Sequence, residues 1–198
     1  MAASIELTAT ADVKSYLGLS GATEDARIAL IVTAVSQWIE SYCHREFMTK
    51  ERSEYFNGGS PDLNVKSYPI SRTASLVIVQ NADVPRDYTD SDDALDTDEY
   101  TVDYEAGMIH YEDGSFLNGV ETVKATYTGG VGATTAALPE DLQQAAIFIC
   151  AGLYNRAKQG GDGLISERLG PWAANYVLDM MTDEVKGILW GYMDVRFA

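Results

Sequence analysis

The apolar residues of this 198-residue chain change their period twice, and those two changes limit the fold more than any motif does. From Thr23 to about Phe47, Ile28, Ile31, Val32, Val35, Trp38, Ile39 and Tyr42 recur at three- and four-residue steps, which predicts a helix with one broad buried face. After Phe47 the period falls to two, in "SEYFNGG", "DLNVKSYPI", "SLVIVQ", "EYTVDYEAGMIHYE" and "VETVKATYTGG", with Gly, Pro, Asn and Asp clusters between the runs. That pattern predicts a meander of short strands. Helical spacing returns at Leu138, where Pro139 suits a first helical position and Leu142, Ala145, Ala146, Ile149 and Leu153 form a stripe.

Two shorter helices complete the reading. "TATADVKSYLGLSG" offers Thr10 as a cap with Val13, Tyr16 and Leu17 on one side, and "TDEVKGILWGYMDVRF" places Val185, Ile188, Leu189 and Tyr192 behind a Thr182 cap. Between the last two helices, "GGDGLISERLGPW" reads as an exposed loop. The turn "EAGM" reads as a hairpin, because Gly107 can take a positive φ. The expected class is therefore α+β: a small helical body of four helices, residues 1–50 and 134–198, with an antiparallel β-module, residues 51–133, inserted between the second and third helices.

The formal charge of −16 argues against a groove that grips nucleic acid by neutralising phosphates. It is unevenly spread: residues 83–105 hold ten Asp or Glu and one Arg, which reads as a solvated, mobile acidic loop. No apolar run reaches bilayer length and the N-terminus lacks the features of a signal peptide, which points to a protein made and kept in a cytoplasm. Cys43 and Cys150 each lie in an apolar helical segment and read as buried thiols rather than a disulfide or a metal pair.

The stretch "YTGGVGATTAALPEDLQQAA" runs from strand through a glycine turn into a helix, so it invites a test for phosphate binding. A P-loop requires a Lys after its last glycine, and "GGVGATT" has none; a dinucleotide turn requires a third glycine where Thr135 stands. The stretch reads instead as a connector, with Gly129, Gly130 and Gly132 as a candidate hinge. The two histidines, His44 and His110, do not complete a nucleophilic triad, although a Cys43/His110 pair stays open. No zinc spacing, EF-hand register or placed carboxylate pair is present, so no catalytic, metal or cofactor-binding residue is assigned. The chain is not expected to be an enzyme.

Five quoted pieces, taken in order, carry a resemblance: "LTATADVKSYLGLS...EDARIALIVTAVSQWIESYCHREF", "VKSYPISRTASLVIV", "EYTVDYEAGMIHY", "VKATYTGGVG...LPEDLQQAAIFICAGLYNRAKQGGDGLISERLGPWAANY" and "TDEVKGILWGYMDVRF". In order and spacing they resemble the head-tail connector, or adaptor, proteins of long-tailed double-stranded DNA phages, in a longer form with an inserted β-module. The acidic stretch 83–105 departs from the plain pattern. The resemblance implies a structural virion protein in the neck: a ring, usually of twelve subunits, beneath the portal, which extends the DNA channel toward the stopper and tail. DNA would pass through the lumen without specific binding, and no membrane or cofactor is involved. Before assembly the subunit would sit in the host cytoplasm.

In such proteins the segment after the third helix and the C-terminal region reach the portal. Carried onto this sequence, the candidate portal or subunit interface is Arg168, Leu169, Gly170, Trp172, Trp190, Tyr192, Arg196 and Phe197. Trp38 lies on an apolar stripe and reads as core, whereas Trp172 and Trp190 fit either internal packing or a partner contact. The competing reading is an acidic binding module for calcium, a sugar or a host-surface partner, carried on a helical support.

Overall fold

The computed structural model describes residues 6–83, 85–90, 93–158, 166–169, 172–175 and 181–194, with backbone only for 166–169 and 172–175. The chain divides into two compact units, Met1–Arg45 with Leu138–Ala198, and Glu46–Ala137. The class is α+β, with four α-helices and small antiparallel sheets among the described residues.

The first unit holds α1 (Thr10–Leu17), α2 (Asp25–Cys43), α3 (Glu140–Lys158) and α4 (Asp183–Trp190). Its core follows the three-and-four spacing: Ile28, Val32, Val35, Ile39 and Cys43 of α2 and Leu142, Ala145, Ala146, Ile149 and Cys150 of α3 are buried, joined by Val13, Val185 and Leu189. Each fully buried Ile or Leu contributes roughly 1.5–3 kcal/mol, so these stripes hold the unit together. Buried Ser36 is satisfied by accepting the Leu7 N–H at 3.0 Å.

Helix ends depart from expectation in detail. Thr182 does cap α4, accepting the Val185 N–H at 3.3 Å, but Thr10 is inside α1, whose cap position is Ala9 with no side-chain bond. The second helix stops at Cys43, four residues before Phe47. His44 enters the left-handed region at φ 52°, and the Arg45 N–H reaches back to the Glu40 carbonyl at 3.1 Å, closing the end. The expected loop after α3 contains a two-stranded ribbon, β7 (Ser166–Leu169) antiparallel to β8 (Trp172–Asn175).

The second unit holds β1 (Lys50–Phe56), β2 (Asp62–Asn64), β3 (Val77–Gln80), β4 (Tyr100–Asp103), β5 (Met108–Tyr111) and β6 (Val123–Gly129). They do not form a meander. The sheets run β1-β6-β3 and β2-β5-β4, so the first strand pairs with the last, Lys50 opposite Gly129 through Phe56 opposite Val123. In the first sheet β6 is central, and its Val123, Ala125, Tyr127 and Gly129 alternate inward. Only β4 and β5 form the expected hairpin, with Gly107 at φ 66° in the turn. Leu63, Val65, Ile70, Ile78, Tyr100, Ile109 and Phe116 fill the core beside the inward residues of β6.

Candidate functional site

The residues that could have done covalent chemistry are otherwise engaged. The Cys43 thiol is buried, within weak hydrogen-bond reach of the Leu189 carbonyl, and burial pushes its pKa up to about 12. Cys150 is held at about 12 by the same cause, so neither supplies a thiolate near neutral pH. His110 on β5 has its Nδ1 2.6 Å from Asp62 Oδ1 on β2; that bond is the main cause of its raised pKa. Among the described residues no group of three His, Cys, Asp or Glu is placed to hold a metal ion, and no helix is long and apolar enough to cross a membrane. An open groove of about 490 Å³ between α1 and α3 is lined by Asp12, Ser15, Tyr16, Glu140, Gln143, Gln144 and Ile147, a set in which no imidazole or lysine stands by to activate the Ser15 hydroxyl.

The glycine turn is a packing junction of the β unit. A methyl group at Gly129 would stand 2.2 Å from the Ser67 carbonyl oxygen, and one at Gly130, at φ 133°, would stand 2.6 Å from the backbone of Met48 and Thr49. Gly130 donates to the Pro69 carbonyl at 3.0 Å, and Gly132 accepts from the Thr49 N–H at 2.9 Å. A hinge motion at Gly129, Gly130 and Gly132 requires these contacts to break. No N–H of Gly129, Gly130 or Gly132 heads a helix, since α3 begins only at Glu140 after a 3-10 turn, Thr135–Ala137.

The acidic stretch is strapped down rather than loose. The Leu95 N–H donates to Ile78 of β3 at 2.8 Å, Ala94 bridges Val79, and Asn81 Nδ2 donates to Asp93 at 2.6 Å. Tyr88 packs on Tyr55 and donates its hydroxyl to the Glu121 carbonyl, while Arg86 donates to the Val120 carbonyl at 2.9 Å. The stretch that composition marks as an acidic loop includes β4 at Tyr100–Asp103, and its Arg86, Tyr88, Asp93, Ala94 and Leu95 contact residues outside it.

Of the candidate interface residues, Trp190 is 72% exposed at the end of α4, and Tyr192 beyond it donates its hydroxyl to Asp141 Oδ1 at 2.6 Å. Burial first, and that bond second, hold the Tyr192 phenol well above its ordinary range. The chain is pinned again where the Asp194 N–H donates to the Cys43 carbonyl at 2.9 Å. Arg168, Leu169 and Trp172 belong to the β7–β8 ribbon; Gly170, Arg196 and Phe197 lie outside the described residues. Two further features were not singled out from sequence. Leu30 is 74% exposed on α2, and Arg27 and Lys158 both approach the ring of Tyr154, their charges 5.6 and 5.8 Å from its centroid. The Tyr154–Lys158 spacing of four was the signal for half of that arrangement.

The sequence comparison decides the family. A family model, head completion protein, matches residues 6–158. The chain belongs to the head completion protein family. No curated protein sequence matches it. Solved structures similar to it include a chain in the virion of a native gene transfer agent (GTA) particle, with TM-score 0.61 and 20% identity over 96% of this chain and 95% of the other. Others come from the neck of a native GTA particle computed with C12 symmetry, at TM-score 0.61, 18% identity and 96% and 94% coverage, and from the neck of an empty GTA particle computed with C6 symmetry, at TM-score 0.58, 20% identity and 96% and 95% coverage. At these identities the likeness is one of fold. As a head completion protein the chain is a structural virion component with a head-tail connector role.

Proposed function

We propose that this head completion protein assembles as a closed ring of twelve copies in the virion neck, beneath the portal. There it continues the DNA channel and joins the head to the stopper and tail without catalysing a reaction. The family match over residues 6–158 carries the reading. The fold shared with chains from GTA necks, one of them computed with C12 symmetry, supports the location and the copy number. The charge of −16 supports passage of DNA without adhesion, because a ring of such subunits repels phosphate. To contact with the portal or a neighbouring subunit we assign Trp190, the β7–β8 ribbon residues Arg168, Leu169 and Trp172, and, from the sequence resemblance, Gly170, Tyr192, Arg196 and Phe197.

Electron microscopy of portal-bearing heads incubated with the purified protein tests this directly. The expected result is rotationally symmetric density of this fold directly below the portal. Heads that leave the protein unbound, or density elsewhere in the particle, would overturn the reading.

A further inference from the structure

A ring of identical chains must bring together two different patches of the same molecule, and here each copy repels the next through a charge of −16. The charge is divided unequally: residues 46–137 hold 17 acids and six bases, whereas the helical unit holds 13 acids and eight bases. We propose that, within the ring put forward above and resting on that reading, the acidic turn at Asp96 and Asp98 of one subunit docks on the Arg27/Lys158 pair of the next.

The cationic half is set by geometry. Arg27 of α2 and Lys158 of α3, 131 positions apart, both stand over the buried ring of Tyr154, at 5.6 and 5.8 Å from its centroid. Both side chains belong to exposed residues. Among the described residues the one carboxylate within ion-pair reach of either is Glu24, at 3.9 Å from Arg27. Two cations against one ring thus have a single carboxylate within reach among the described residues, and an anionic partner supplies the missing counter-charge.

The acidic half is held ready. The Glu99 N–H donates to the Asp96 carbonyl at 3.1 Å, and the Asp96 N–H to Glu99 Oε2 at 2.7 Å, closing a turn that the Leu95 bond to Ile78 anchors on β3. Asp96 and Asp98 are exposed, and neither has an ion pair among the described residues. A turn already fixed loses little freedom on docking. Charge complementarity therefore selects a second copy as the occupant; DNA, the other polyanion of the system, is repelled by the remaining acids.

The test mixes equal amounts of ¹⁴N- and ¹⁵N-labelled protein, assembles it on portal-bearing heads and treats it with a water-soluble carbodiimide. This activates a carboxyl group and lets the Lys158 amine form an amide with it, the carbodiimide leaving as its urea. Cross-links between Lys158 and the 96–99 turn that join heavy to light peptides are the expected result. In parallel, R27E/K158E and, separately, D96K/D98K should raise the concentration for half-assembly by roughly tenfold or more, and the four changes together should bring it back to within about threefold of the parent. That rescue excludes misfolding as the cause of either loss. Rings that form with only same-label cross-links, or that ignore both charge reversals, overturn the docking and leave the ring standing. Rings whose assembly is weakened by R27E/K158E but not by D96K/D98K, and restored by added DNA, overturn it in favour of nucleic acid. Absence of any ring overturns both readings.

Discussion

Tyr88 lies 5.2 Å from Tyr55, ring centroid to ring centroid at 60°, and so fastens the acidic segment to the outer face of the β1-β6-β3 sheet. Lys124, opposite Tyr55 on β6, stands 5.9 Å from the same Tyr88 ring. Tyr88 thus anchors one end of a segment that carries ten carboxylates. The arrangement presents negative charge in fixed positions.

Replacing Tyr88 with Ala should release this end of the segment while the sheets stay folded. A tilted aromatic pair contributes about 0.5–1.5 kcal/mol beyond its burial, so the melting temperature should fall by only a few degrees. Limited proteolysis within residues 83–90 should accelerate in the variant. Unchanged cleavage would show that Arg86 and Asn81 suffice to hold the segment.

Gly129 and Gly152 should respond in opposite directions to the same substitution. At Gly129→Ala the new methyl meets the Ser67 carbonyl at 2.2 Å, backbone against backbone, with a cost of roughly 3 kcal/mol or more. At Gly152→Ala, in α3, the methyl meets nothing within 4 Å, and helix propensity predicts a gain of about 0.5–1 kcal/mol. Chemical denaturation of the two variants checks both signs.

How much of this was legible in the sequence depended on the range of each interaction. The switch from helical to alternating period is local, as is Gly107 in the β4–β5 turn, and both were readable. Pairing Lys50 with Gly129 is not local; alternation identifies β1 and β6 as strands and leaves their partners open. Composition gave the charge of residues 83–105 correctly but missed their fixation, because Tyr88, Leu95 and Asn81 are few among the acids and act on partners far along the chain. Arg27 reaches the Tyr154 ring only because α2 packs on α3. Trp190 was visible as a break in an apolar stripe, and its exposure required the fold.

The two thiols predict a stability profile at high pH. Cys43 and Cys150 have folded pKa values pushed up to about 12 by burial, from 9.0. The folded protein therefore keeps two protons that the unfolded chain has begun to release. By linkage the stabilisation is fully present below pH 9 and is lost as pH rises toward 12. Replacing both residues with Ala should flatten that part of the profile, at the cost of lower stability near pH 7 from the two small cavities. Alkylation should agree: at pH 8 iodoacetamide should modify neither thiol in the folded protein and both in denaturant.

Trp190 separates folding from assembly. Its side chain ends α4 with 72% exposure, and its neighbours Gly187 and Gly191 put no side chain beside it, so it contributes little to the core that Val185 and Leu189 anchor. Trp190→Ala should therefore change unfolding free energy by less than about 0.5 kcal/mol, as exposed substitutions do. If the indole is the anchor that meets the portal or a neighbouring subunit, the same variant should lose binding to portal-bearing heads by roughly tenfold to a hundredfold, the range for a buried interface tryptophan. Fluorescence gives a second readout. The emission lost on Trp190→Phe should be that of a solvated indole in the free subunit, and in the assembled neck it should shift to shorter wavelength. Normal assembly by Trp190→Ala, with no spectral shift, would move the contact to the β7–β8 ribbon. Trp190 would then be an exposed side chain without a role in the neck.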